Sequence, residues 1–225
     1  MLPLGTRLVV KELTHDEYYQ VLLADGQAGW IDRGDVIGSG AMPAEKVLRE
    51  NIVVTAKLFL GVPYLWGGRS VINANLEFRI ENLEFNNTKN HQSRIADCKF
   101  KIQNSKSKIP VSGVDCSGLT NLVYRVNNID IPRDAHDQWV VAEKISHDQL
   151  KPADLLFVSA EDRKDQITHV MLYIGGKHFI EAPETESMVQ ARTFKEKFGM
   201  GLTELSRQDF VINKKQIYFG RVVPA

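Results

Sequence analysis

Short apolar runs bounded by turn residues open the chain. Residues 7–11, 18–23 and 29–32 read as strands, joined by turn chemistry at Asp25-Gly26 and Arg33-Gly34-Asp35. Asp25-Gly26 between apolar runs predicts a hairpin, because the turn needs positive φ. Gly38-Ser39-Gly40-Ala41-Met42-Pro43 interrupts the pattern and reads as a linker. From Ala44 the period changes. Val47, Leu48, Ile52, Ala56, Phe59 and Leu60 recur at steps of three and four, with Pro43 near the start and Gly61 past the end. That spacing predicts a helix. Leu119, Leu122, Val123 and Val126 predict a second, ending in Asn127-Asn128, and residues 134–145 a third. Strands are expected over 155–158, 169–174, 178–181 and 216–223. Helices followed by hairpin-linked strands make an α+β order, not βαβ alternation.

The stretch from about 72 to 111 breaks both periods. It has no glycine, is rich in Asn and Lys, and alternates in Leu76-Glu77-Phe78-Arg79-Ile80 and again in Cys98-Lys99-Phe100-Lys101-Ile102. It reads as a surface insertion, a two-stranded arm or a loop; a docking or gating arm is the sharper alternative, with no residue that specifically supports it. The expected organisation is a small β module over 1–37, a linker over 38–43, and a main domain over 44–225 that carries the insertion.

Composition narrows the chemistry. The 225 residues carry 28 Lys plus Arg against 28 Asp plus Glu. That balance argues against a broad nucleic-acid footprint and against a polybasic membrane binder. No apolar run approaches the ~18 residues of a spanning helix. The start, Met1-Leu2-Pro3-Leu4-Gly5, has no basic leader pattern. The chain as written is expected to stay in the cytoplasm, and to reach the envelope or medium if the native N-terminus is longer. Two cysteines exclude a disulfide framework and a Cys₄ zinc site, and leave room for one reactive thiol. The histidines lack H-x-x-x-H spacing, so neither metal nor cofactor is expected.

Gly113-Val114-Asp115-Cys116-Ser117-Gly118-Leu119 sets a cysteine at the start of an apolar helix. The dipole and free N–H groups there favour a thiolate, although a lone cysteine is commonly a small buried hydrophobe. A cysteine nucleophile needs a base, and the base an orienting acceptor. Thr168-His169-Val170-Met171-Leu172-Tyr173-Ile174-Gly175 is an apolar strand with an imidazole at its start, and Lys177-His178-Phe179-Ile180-Glu181 returns beside it. Glu181 could hold one nitrogen of His169 while the other faces Cys116. His178 competes from beside the turn, and Cys98, in a strand-like run, is a weaker rival nucleophile. In Pro63-Tyr64-Leu65-Trp66-Gly67-Gly68, two aromatics flanked by glycines suggest a loop that brings a phenol and main chain to a ligand, or a turn with aromatic packing. Ile131-Pro132-Arg133-Asp134 could be no more than a helix start.

In this order, and together with Ala153-Asp154-Leu155-Leu156-Phe157 and Ile180-Glu181-Ala182, these segments resemble the NlpC/P60 family of cysteine peptidases. The resemblance covers about residues 44–225 once 72–111 is set aside. Gly5-Thr6-Arg7-Leu8 and Asp25-Gly26-Gln27-Ala28-Gly29-Trp30-Ile31 are similar to the latter part of a bacterial SH3-type domain, a module that often precedes such peptidases. The resemblance implies an α+β papain-like core, with N-terminal helices packed on an antiparallel sheet, behind a small all-β module. It implies Cys116 as nucleophile, His169 as base and Glu181 as orienting residue. Tyr64 and Trp66 would lie on the oxyanion and substrate side, and Asp115, Ser117 and Arg133 would line a pocket for the free ends of a short peptide. The implied partner is a peptidoglycan-derived stem peptide, cut between γ-D-glutamate and meso-diaminopimelate or lysine. Two positions depart from the family: Glu181 stands where a third His is most common, and Ala135 where a Ser usually follows P-R-D. A thiol amidase or acyltransferase acting on another amide, and a wall-binding module without catalysis, are the competing readings.

Overall fold

The computed structural model describes residues 4–12, 17–23, 25–36, 42–71 and 112–224. The expected arm, Cys98 and most of the expected linker lie outside the described residues. The described residues fall into two compact units, one of residues 6–12, 17–23 and 25–36 and one of residues 4–5, 42–71 and 112–224.

The smaller unit is an antiparallel sheet of β1 (Val9–Glu12), β2 (Tyr18–Leu22) and β3 (Ala28–Asp32), in that order. The β2–β3 turn is the one Asp25-Gly26 predicts. Gly26 takes φ 84°, and its N–H donates to the Leu23 carbonyl at 3.0 Å. The Asp25 carboxylate accepts from Gln27 N–H at 3.0 Å, so the side chain supplies a bond the tight turn would otherwise lack.

The larger unit starts with α1 (Glu45–Leu58), followed by the two-residue strands β4 (Arg69–Ser70) and β5 (Gly113–Val114), which pair with each other. Then come α2 (Cys116–Val126) and α3 (Ala135–Val141). The sheet that follows is antiparallel. It contains β6 (Glu143–Ile145), β7 (Leu155–Ser159), β8 (Ile167–Gly175), β9 (His178–Glu181), β10 (Gln190–Thr193), β11 (Val211–Ile212) and β12 (Lys215–Arg221). Its order is β10-β9-β8-β7-β12-β11, with β6 also on β12. Two short helices, α4 (Phe194–Phe198) and α5 (Leu202–Ser206), fall between β10 and β11.

Burial explains the pattern. Helix α1 buries Leu48, Ile52, Val53 and Ala56, and leaves Val47 on its rim. Helix α2 packs against both α1 and β8. Every residue of β7 is buried, which is why it reads as a continuous apolar run instead of an alternating one. On one face of the sheet, Ile145, Leu156, Val158, Met171, Phe179, Ile217 and Phe219 form a core with Phe194 of α4 and Leu205 of α5.

The expected third helix, over 134–145, is too long. It ends at Val141, Ala142 turns extended at ψ 137°, and Glu143–Ile145 becomes β6 against β12. Buried Ile145 and its pairing with Phe219 outweigh the helical tendency of that segment. The elements β10, α4, α5 and β11 were not anticipated by the periodicity.

Candidate active site

The site is built from the first turn of α2. Asp115 is its N-cap, with Oδ1 accepting from Gly118 N–H at 2.7 Å and Oδ2 from Gly67 N–H at 2.9 Å. One carboxylate thus fixes both the helix start and the aromatic loop. Arg133 closes on the same carboxylate with both nitrogens, NH1 to Oδ1 at 3.0 Å and NH2 to Oδ2 at 2.6 Å. Its NH1 also donates to Ser117 Oγ at 2.9 Å, and its NH2 to the Gly68 carbonyl at 3.3 Å. The two backbones approach so closely that a Cβ on Gly118 would lie 2.1 Å from the Gly68 carbonyl oxygen. Only glycine fits there.

This geometry makes Cys116 the first residue of α2, with a partly buried side chain. The His169 side chain and the Val170 main chain both act on its thiol, and Cys116 and His169 line one cleft. His169 Nε2 lies 2.8 Å from Glu181 Oε2, so Nδ1 is the nitrogen turned to the thiol. Strand β8 pairs with β9 through Leu172↔Ile180 and Tyr173↔Phe179. Glu181 is therefore a diagonal neighbour of His169 on the same face, not its direct cross-strand partner. His178 pairs with Gly175 at the turn, is exposed, and lies outside the site.

Burial opposes every charge here, and neighbours reverse it. Burial alone would raise the Cys116 thiol; the His169 hydrogen bond and charge, with the Val170 N–H, bring it below its ordinary value. Burial would likewise lower His169, but Cys116 and Glu181 together lift the imidazole above its usual range. The fully buried Glu181 carboxyl would rise, yet His169 and Lys197 hold it low. Tyr64 is pushed up by burial, then by the Cys116 and Asp115 charges, and so keeps its phenolic proton.

Tyr64, Trp66, Cys116, Thr168, His169 and Lys197 are among the residues that line a cleft of about 470 Å³. Trp66 stands 83% exposed at this cleft. Of the residues expected to line a peptide pocket, Asp115 and Ser117 are buried, and neither they nor Arg133 borders the cleft. Four Arg133 hydrogen bonds go to Asp115, Ser117 and Gly68, and they brace the loop against α2.

Two cations around Glu181 escaped the sequence reading. Lys197 Nζ is 2.6 Å from Glu181 Oε2, and Arg192 NH1 is 3.6 Å from Oε1. The local signals for Lys197 are slight. They are the Thr193–Glu196 capping box, with Glu196 N–H donating to Thr193 Oγ1 at 3.2 Å, and Gly199 closing the helix at φ 76°.

A helix-borne thiol facing a sheet-borne imidazole with a third polar partner is the arrangement of papain-like thiol hydrolases. Comparison with known proteins narrows the class: residues 61–203 match the NlpC/P60 family, and the chain belongs to that family. It is 31% identical over 189 residues to a gamma-D-glutamyl-L-lysine dipeptidyl-peptidase of Bacillus subtilis, covering 84% of this chain and 48% of that protein. A protein of the same description from Bacillus cereus is 26% identical over 175 residues, covering 76% and 40%. The chain thus spans less than half the length of these curated relatives. A crystal structure of an NlpC/P60 family protein from Bacillus cereus superposes with a TM-score of 0.62 at 23% identity, over 97% of this chain and 54% of that one. That likeness extends to the fold.

Proposed function

We propose that the chain is a cysteine peptidase of peptidoglycan stem peptides, cutting the bond between γ-D-glutamate and a diamino acid. The observation that carries this reading is that His169, held by Glu181 at 2.8 Å, lines one open cleft together with Cys116 at the start of α2. The relatives named as gamma-D-glutamyl-L-lysine dipeptidyl-peptidases favour this bond over other amides.

In this mechanism the Cys116 thiolate adds to the amide carbonyl carbon. The oxyanion is met by the Cys116 N–H, which has no acceptor within the helix at that position, and by the Tyr64 hydroxyl. As the C–N bond breaks, the His169 imidazolium passes its proton to the leaving amine, and a thioester remains on Cys116. Neutral His169 then takes a proton from water, whose oxygen adds to the thioester; collapse expels the thiolate and frees the acid. Glu181 holds Nε2 throughout, which keeps Nδ1 aimed at the sulfur. Trp66 offers an apolar face to the bound peptide.

The domain reading belongs to the same proposal: an SH3-type module over 1–37, a linker over 38–43, and a catalytic domain over 44–225 with an insertion at about 72–111. The three-stranded antiparallel sheet of the smaller unit supports the first part. Incubating the protein with L-Ala-γ-D-Glu-L-Lys and its meso-diaminopimelate counterpart, followed by mass spectrometry, tests the activity. The expected products are L-Ala-γ-D-Glu and the free diamino acid. Intact peptide would favour a wall-binding module, and products formed only with an added amine would favour an acyltransferase.

A further inference from the structure

We propose that Lys197 is a positioning residue of this site: its ammonium, 2.6 Å from Glu181 Oε2, keeps a wholly buried carboxylate ionised so that it can hold His169. This rests on the reading of Cys116 and His169 as nucleophile and base.

The sequence places Lys197 by helical spacing. Phe194, Lys197 and Phe198 lie at i, i+3 and i+4 of α4, and therefore share a face. Phe194 and Phe198 anchor that face on β9, with ring centroids 5.5 and 6.2 Å from Phe179. Phe179 and Glu181 alternate onto the same side of β9, so the helix that packs on the phenylalanine also sets its lysine over the carboxylate.

The need for a cation follows from burial. Glu181 has no solvent exposure, and its Oε2 takes both the His169 and the Lys197 contacts. Among the described residues its Oε1 receives no hydrogen bond, Arg192 NH1 being 3.6 Å away. A carboxylate in such a place is costly unless it is paired, and protonation is the usual escape. A protonated Glu181 would give His169 a far poorer partner for the imidazolium, and the thiolate would lose its counter-charge in turn. With Lys197 present, Cys116, His169, Glu181 and Lys197 form a row of alternating sign. The other charged or titratable groups nearby are Asp115 with its own partner Arg133, Tyr64, Arg192 and, on the cleft wall, Glu184 and Lys215. Of these, only Arg192 approaches Glu181 from the cationic side, and it lies beyond hydrogen-bonding distance.

The test is the pH dependence of Cys116 alkylation by iodoacetamide, which needs no substrate, on wild type, Lys197→Met and Lys197→Arg, with thermal melts confirming that each is folded. Methionine keeps the packed stem and removes the charge, so a purely structural role would leave the midpoint where it was. The expected result is a Lys197→Met midpoint at least about half a pH unit above wild type, with Lys197→Arg near wild type. A folded Lys197→Met protein whose midpoint equals a low wild-type midpoint would overturn the role of Lys197 alone. A wild-type midpoint near ~8.5, that of an ordinary thiol, would overturn the Cys116 reading and this inference with it.

Discussion

His169 Nε2 and Glu181 Oε2 are 2.8 Å apart on adjacent strands, although the strand register sets them diagonally rather than face to face. The long reach of a glutamate spans that diagonal. Replacing it with Gln keeps an acceptor for His169 and removes the charge, so Glu181→Gln should lower kcat by on the order of 10²-fold with little change in KM. Steady-state kinetics on the tripeptide reads both quantities; an unchanged kcat would remove Glu181 from the catalytic set.

The same pair makes stability depend on pH in a defined window. His169 titrates above its ordinary value in the folded protein, so its contribution is complete below about 6.5 and is lost as pH rises through the raised value. Glu181 is held low, so its contribution is complete above about 4.5 and is lost as pH falls through the lowered value. Melting temperatures of wild type and Glu181→Gln should therefore differ most between about pH 4.5 and 6.5, and the gap should narrow on the alkaline side. A gap that stays constant from acid to alkaline pH contradicts the coupling.

Arg133 closes on Asp115 with two parallel contacts, at 3.0 and 2.6 Å, at the start of α2. Arg133→Ala leaves that carboxylate to the Gly67 and Gly118 N–H groups and the Ser117 hydroxyl. A loss of about 2–3 kcal/mol in chemical denaturation is expected, short of the full cost of an orphaned buried charge. Arg133→Lys should not restore it, because an ammonium cannot reproduce the two-pronged geometry. Full rescue by lysine would count against the bracing role.

Gly118 leaves no room for a methyl group, since its Cβ would sit 2.1 Å from the Gly68 carbonyl oxygen. Both partners are main chain, so relief requires moving either the α2 start or the aromatic loop. Gly118→Ala should cost about 1–3 kcal/mol or more, and should lower turnover through displaced Cys116 and Tyr64. Wild-type stability and turnover together would show that the loop yields freely.

Much of this site was legible because each part leaves a local mark. The apolar stripe of Leu119, Leu122 and Val123 shows where α2 runs, so Cys116 just ahead of it could be read at the helix start. The run from His169 to Glu181 is one hairpin with a Gly175-Gly176 turn, so the two residues at its ends could be matched across it. What escaped is what depends on folding across distance. Lys197 reaches Glu181 only because α4 packs on Phe179, and Ile145 becomes strand only because β12 arrives beside it. The pairing of Arg133 with Asp115 is hidden for the same reason: it depends on the segment after α2 folding back on the helix start.

Turnover of L-Ala-γ-D-Glu-L-Lys by wild type and Cys116→Ala, followed by mass spectrometry, tests whether Cys116 is the nucleophile that cuts the γ-D-glutamyl bond. Release of L-Ala-γ-D-Glu and lysine by the wild type, abolished in a folded Cys116→Ala protein, is the expected result. Full turnover by Cys116→Ala would contradict it, and would move the nucleophile elsewhere in the chain.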